Sequence, residues 1–85
     1  MKKFHYTVKD QLGLHARPVS KLVMILEKYN INVTIYKGER SAKADQMLAL
    51  MQLGVKKGDT ITVQIEGPDE DHGEKIIETF FCENL

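Results

Sequence analysis

Apolar and polar residues alternate along three stretches of the chain, which are residues 3–8, 31–35 and 61–65. Because successive side chains of a β-strand point to opposite faces, this alternation predicts three strands that each bury one face. A fourth, shorter strand is predicted over residues 41–44, where it follows a hairpin turn around Gly38.

Helical spacing of apolar residues marks three further segments. The first predicted helix begins at His15 or Ala16, and Pro18 fits its first turn because a missing N–H group costs nothing there. A short second helix is predicted over residues 46–53, with Asp45 as its N-cap and Gly54 just beyond its end. A third begins after residues 67–69. The predicted buried residues are Val19, Leu22, Val23 and Leu26 in the first helix, Leu50 and Leu53 in the second, and Ile76, Ile77, Phe80 and Phe81 in the third.

The resulting element order is β-α-β-β-α-β-α in a chain of 85 residues, which fits one domain over residues 1–85. Since every strand has one apolar face, the sheet is expected to be antiparallel, with one side solvated. The predicted fold is therefore an α+β open-faced β-sandwich, with a four-stranded antiparallel sheet and three helices on one face.

Composition narrows the classes of function. The chain has 12 basic and 12 acidic residues and a formal net charge of zero, which argues against a general nucleic-acid binder. No apolar run is long enough to span a bilayer, so membrane insertion is not expected. Cys82 is the only cysteine, and an unpaired thiol fits a reducing cytosol.

The candidate chemistry lies in residues 13–18, which read Gly-Leu-His-Ala-Arg-Pro. A histidine at a helix N-terminus lies beside unpaired backbone N–H groups and the positive end of the helix dipole. That field disfavours the imidazolium, which leaves a neutral nucleophilic ring, and it suits an added phosphoryl group. Arg17 offers a planar donor fork for phosphate oxygens. His15 and Arg17 are therefore the predicted phosphoryl-transfer residues, although a lone histidine at a helix start is more often a cap or a solvated side chain.

Other sites are less well supported. A small hydrolase using His15 and Arg17 is an alternative, but no second acid or base stands near the motif. His5 falls on the solvated face of a predicted strand and His72 in an acidic first turn, so no metal site is expected. No cofactor is predicted either.

Two surface patches are candidates for partner binding. One face of the first helix is basic and carries a methionine, and its members are Arg17, Ser20, Lys21, Met24 and Lys28. The second helix has more apolar residues than one sheet contact needs, the surplus being Met47, Leu48 and Met51. These three form either a soft docking patch or a wider contact with the core.

The chain resembles HPr, the histidine-containing phosphocarrier family of the bacterial phosphoenolpyruvate-dependent sugar phosphotransferase system. The resemblance spans nearly the whole chain and rests on residues 13–18, on Ser-Ala-Lys-Ala at 41–44, on Leu-Gly at 53–54 and on the start of the last helix. It implies that His15 accepts phosphate on Nδ1 from phospho-enzyme I and passes it to sugar-specific IIA proteins. It also implies that Arg17 assists and that Ala16 lies in the phosphate site.

The resemblance further implies a cytoplasmic protein, expected to be a monomer, with one docking surface for its partners. That surface maps onto Ser20, Lys21, Met24, Met47, Leu48, Met51 and Gln52. Two positions depart from the family pattern. Gln46 replaces the regulatory serine of many relatives and has no hydroxyl to phosphorylate, and Leu12 replaces a small polar residue near the active histidine. A regulatory paralogue, and a pathway other than sugar uptake such as nitrogen regulation, remain alternatives.

Overall fold

The structure is a computed structural model that describes the chain from Met1 to Leu85. Its elements follow the predicted order β-α-β-β-α-β-α. The strands are β1 (Lys2–Thr7), β2 (Asn32–Lys37), β3 (Arg40–Lys43) and β4 (Thr60–Glu66), and the helices are α1 (Ala16–Lys28), α2 (Met47–Gln52) and α3 (Glu70–Asn84). None of the three helices combines the length and the apolar character that crossing a bilayer requires.

The four strands form one antiparallel sheet in the spatial order β1-β4-β2-β3. The predicted alternation is clearest in β4, whose Ile61, Val63 and Ile65 are fully buried in the core. The opposite face is polar, and there His5 Nδ1 lies 2.9 Å from Thr62 Oγ1 on the neighbouring strand. The open-faced sandwich predicted from the sequence is confirmed.

The buried face of α3 differs at two positions from the one predicted. Ile77, Phe80 and Phe81 are buried as expected, whereas Ile76 is only half-buried. Gly73 is buried in its own right, and a Cβ atom there would lie 2.8 Å from Cγ2 of Ile31. The glycine therefore lets the first turn of α3 pack closely on the residue that precedes β2. In α1, Val19 and Leu22 are buried, while Val23 and Leu26 are half-buried.

The predicted cap of α2 is wrong. Gln46 rather than Asp45 occupies the N-cap position, no side chain bonds to the first turn, and Asp45 is exposed. A main-chain hydrogen bond from Gln46 N to Lys43 O (3.0 Å) closes the preceding turn, so the helix begins one residue later than capping by Asp45 requires. The predicted end is confirmed, because Gly54 has a φ of +70° just after α2.

Tyr6 carries a buried polar atom that the fold leaves unpaired. Its ring packs edge-on against Phe81 with centroids 5.6 Å apart, and its hydroxyl has no hydrogen-bond partner. Burial raises the pKa of the Tyr6 phenol, with the neighbouring Cys82 adding to the rise. Because folding raises the pKa of this phenol, the neutral Tyr6 does not reduce the free energy of unfolding at a pH below the ordinary phenol pKa. Stability is then lost as the pH rises through the pKa of Tyr6 in the folded protein.

Tyr6→Phe is expected to raise the free energy of unfolding by about 1 kcal/mol, because it removes a desolvated hydroxyl without leaving a partner unpaired. It should also reduce the loss of stability in strongly alkaline solution. Urea unfolding at neutral and alkaline pH measures both effects. Tyr36→Phe is the matched control, since Tyr36 is only half-buried and should change neither quantity. A Tyr6→Phe protein less stable than wild type would contradict the interpretation that the buried hydroxyl is unpaired.

Candidate functional site

His15 occupies the N-cap position of α1, with extended backbone angles of φ −124° and ψ 179°. Its main-chain oxygen accepts a hydrogen bond from Val19 N (3.2 Å), which opens the helix. Its side chain makes no capping hydrogen bond, and 32% of that side chain is exposed. The ring is therefore accessible at the helix terminus without serving as its cap, which removes the commonest structural role for a histidine at this position.

The first turn of α1 has the features of an anion site. The amides of Ala16 and Arg17 donate to no acceptor in the protein, and no acidic residue lies in this turn. Arg17 is exposed and takes part in none of the chain's ion pairs. Free N–H groups and the positive end of the helix dipole thus occur together at His15, and Arg17 carries its guanidinium group in the same turn.

The loop before His15 is held by a close main-chain contact. Gly13 has a φ of +64°, and a Cβ atom there would overlap the carbonyl oxygen of Val55. That same oxygen accepts a hydrogen bond from Leu14 N (3.2 Å). The sequence gave no sign of the contact with Val55, because it joins segments about forty residues apart in the chain.

Asp59 stabilises the segment that supplies this carbonyl group. Its Oδ2 accepts a hydrogen bond from Lys56 N (2.9 Å) and lies 3.1 Å from Lys37 Nζ. The amide of Lys56 and then the ammonium of Lys37 hold the pKa of the Asp59 carboxyl below its usual range. Lys37 also donates to Gly54 O (2.8 Å), so this lysine connects β2 to both ends of the segment 54–59, which contains Val55.

Asp10 lies beside His15, so the expectation that no second acid or base stands near the motif is wrong. Its Oδ2 accepts a hydrogen bond from Leu12 N (2.9 Å) and lies 3.4 Å from Nε2 of His15. An aspartate whose side chain binds the amide two residues on is a common loop motif, so the first contact could have been predicted. The second depends on the path of the loop, which the residue spacing does not reveal.

The exposed face of α1 is confirmed, and Met24 on it is 68% exposed. On α2, the expected wider contact with the core describes two of the three surplus apolar residues, and the third is exposed. Met47 and Met51 are half-buried against the core, whereas Leu48 is 68% exposed. Helix α1 packs against α2. Leu12, which precedes the site, is 71% exposed.

The remaining candidates lie apart from this arrangement. His5 is exposed on the open face of the sheet, and the exposed His72 packs edge-on against Tyr29 with ring centroids 5.8 Å apart. No group of three or more histidine, cysteine, aspartate or glutamate side chains is arranged to hold a metal ion. Cys82 is a free, exposed thiol, and Gln46 is exposed at the start of α2.

An open-faced sandwich with an accessible histidine at an uncapped helix N-terminus has the features of the small phosphocarrier proteins. The family model described as "PTS HPr component phosphorylation site" matches residues 2–82. The chain therefore belongs to the HPr family, and it is a phosphocarrier of the HPr or NPr kind of the phosphotransferase system.

Individual relatives agree with this assignment. A phosphocarrier protein HPr from Mycoplasma capricolum is 35% identical over 77 residues, which cover 91% of this chain and 86% of that protein. A phosphocarrier protein NPr from Shewanella violacea is 38% identical over 65 residues, or 76% of this chain and 71% of that protein. A crystal structure of HPr from Thermoanaerobacter tengcongensis matches both chains over their full length, with 31% identity and a TM-score of 0.82. A second structure from that organism, described as an HPr dimer, has a TM-score of 0.64 at 29% identity, covering 94% of this chain and 98% of the other.

Proposed function

We propose that this chain accepts a phosphoryl group on Nδ1 of His15 from phospho-enzyme I and passes it to IIA proteins of the sugar phosphotransferase system in the cytoplasm. The observation that carries this proposal is the uncapped start of α1, where the accessible ring of His15 adjoins the free amides of Ala16 and Arg17. A negatively charged group on the ring would meet donors that no protein group occupies.

The geometry suits a carrier better than a turnover enzyme. Phosphoryl transfer depends mainly on positioning and on neutralising the charge of the phosphoryl oxygens, and the guanidinium of Arg17 is free for the second task. The Gly13–Val55 contact holds the loop and thereby limits the positions of His15. The acidic group beside the ring is the Asp10 carboxylate, whose Oδ2 already accepts the amide of Leu12. We therefore expect the phosphorylated state to persist until a partner docks.

Donor and acceptors are proposed to use one surface in turn. The exposed side chains of Ser20, Lys21 and Met24 on α1 and of Leu48 on α2 combine positive charge with apolar area. An acidic partner surface with an apolar centre would match this side of the molecule. We propose a monomer as the acting form, since the ring of His15 and the free amides beside it all belong to one chain.

A nitrogen-regulatory pathway is the second candidate, favoured by the 38% identity to an NPr. The chemistry at His15 would be the same, and only the donor and the acceptors would differ. Comparing rates of phosphorylation by a sugar-type and a nitrogen-type enzyme I distinguishes the two. The faster donor identifies the pathway.

Incubation with phosphoenolpyruvate and enzyme I is expected to add one phosphoryl group per chain, seen as one step in the intact mass. The phosphoryl group should be labile in acid and stable in base, as expected for phosphate on a ring nitrogen, and it should leave when a IIA protein is added. The control omits enzyme I, and a known HPr in a parallel mixture shows that the donor is active. An unmodified chain beside a phosphorylated HPr, or an acid-stable phosphate, would overturn the proposal.

A further inference from the structure

The Asp10 carboxylate links the loop before α1 to the ring of His15 through a single oxygen. Its Oδ2 receives the amide of Leu12 at 2.9 Å, and this hydrogen bond fixes where the carboxylate lies. The same oxygen lies 3.4 Å from Nε2 of His15. The Asp10 main chain is fixed as well, because its oxygen accepts the Gly13 amide at 3.1 Å. The carboxylate is thus held by its own loop and faces one of the two ring nitrogens.

We infer that Asp10 is a positioning residue, which keeps the ring proton on Nε2 of His15 and leaves the lone pair on Nδ1 for phosphorus. This inference rests on the proposed function. A carboxylate beside Nε2 attracts an N–H group there and repels a lone pair, so it selects one of the two neutral tautomers. The selected tautomer has its nucleophilic nitrogen on the side of the ring away from Asp10.

The same contact acts during the transfer. The lone pair of Nδ1 forms the new N–P bond while the bond from phosphorus to the donor breaks, and the electron pair of that bond stays on the donor. The ring retains its Nε2 proton and gains a positive charge, which faces the Asp10 carboxylate. The opposite charge stabilises the phosphorylated ring and the transition state that leads to it.

Arg17 and Asp10 would then have separate tasks, one at the phosphoryl group on Nδ1 and the other at Nε2. The guanidinium neutralises the phosphoryl oxygens, whereas the carboxylate acts on the ring alone. The exposed Leu12 supplies only its main-chain amide to this arrangement, so the position needs no polar side chain. In this chain, Asp10 acts through the distal ring nitrogen at a site where residue 12 offers no side-chain hydrogen bond.

Asp10→Asn tests the inference, because asparagine can keep the hydrogen bond from Leu12 N and removes only the charge. We expect single-turnover uptake from phospho-enzyme I to slow about tenfold at saturating donor, because a neutral amide no longer attracts the positive charge that forms on the ring. The donor concentration at half-saturation should stay unchanged. Nitrogen NMR of the imidazole at neutral pH should show a smaller population of the Nε2–H tautomer.

Two further variants complete the test. Asp10→Ala should be slower than Asp10→Asn, since it also loses the Leu12 contact, and Asp69→Asn is the control, an exposed aspartate at the start of α3 with no capping bond. If wild type is phosphorylated and Asp10→Asn matches it in rate and tautomer, the inference is wrong and the proposed function stands. A change only in the donor concentration at half-saturation would also overturn the inference, because it would show that Asp10 affects docking of the donor and not the transfer step. If wild type takes up no phosphate while its tautomer is as expected, the proposed function fails instead.

Discussion

Replacing His15 by alanine is expected to abolish phosphoryl uptake, reducing the rate by at least about a thousandfold, because the nucleophile itself is removed. The side chain makes no capping hydrogen bond, and its ring is partly exposed. Its loss should therefore change the free energy of unfolding by no more than about 0.5 kcal/mol. Intact-mass measurement after incubation with phosphoenolpyruvate and enzyme I follows the modification, and urea unfolding follows the stability.

The two other histidines provide matched controls for this substitution. His5→Ala and His72→Ala each remove an exposed imidazole from a region outside the N-terminus of α1, so both variants should still accept one phosphoryl group. A His15→Ala protein that gains an acid-labile phosphate would place the acceptor elsewhere. If only the His5 or His72 variant lost the modification, that residue would be the acceptor and the proposal for His15 would be wrong.

The fold was predictable because burial in this chain follows the two simple periodicities. Each strand of an open-faced sheet has one solvated side, so the alternation of Ile61, Val63 and Ile65 with polar residues identifies β4 without tertiary information. Prediction failed where a contact between distant segments decided the outcome. In α3, Gly73 is buried against Ile31, although it was not among the predicted buried residues. Asp45 does not cap α2, because a main-chain turn precedes the helix.

The site divides in the same way. His15, Arg17 and Pro18 are neighbours in sequence, so their place at the start of α1 could be predicted locally, and the roles proposed for His15 and Arg17 follow from helix termini in general. The contacts of Asp10 with His15 and of Val55 with Leu14 depend on distances that only the folded chain defines. Local sequence therefore predicts which groups can bind a phosphoryl oxygen. The fold determines how the ring of His15, the proposed acceptor, is oriented and held.

Gly13 combines a local and a long-range requirement, because its lack of a side chain allows the loop before His15 to lie against Val55. Two costs would follow from a Cβ atom at this position. The φ of +64° is unfavourable for any residue with a side chain, and the Cβ atom would also approach Cα of Lys56 at 2.9 Å. Relief of that overlap requires the loop to move away, which weakens the hydrogen bond from Leu14 N to Val55 O.

Gly13→Ala is therefore expected to lower the free energy of unfolding by about 2–4 kcal/mol. Phosphoryl uptake on His15 should fall about a hundredfold at a low temperature where the variant remains folded, because displacement of a reacting group by about an ångström is enough for such a loss. Urea unfolding and single-turnover uptake measure the two effects, with circular dichroism to verify folding.

Gly38→Ala separates the two costs. Gly38 has nearly the same φ, +62°, in the exposed turn between β2 and β3, but a Cβ atom there meets nothing within 4 Å. This variant should lose only about 1 kcal/mol of stability, the cost of the backbone conformation, and should accept phosphate at the wild-type rate. If both variants lose equal stability, the close approach of Gly13 to Val55 contributes nothing. If Gly13→Ala keeps the wild-type rate of uptake, the contact does not position His15, and the ring must be held by the N-terminus of α1 and the Asp10 carboxylate alone.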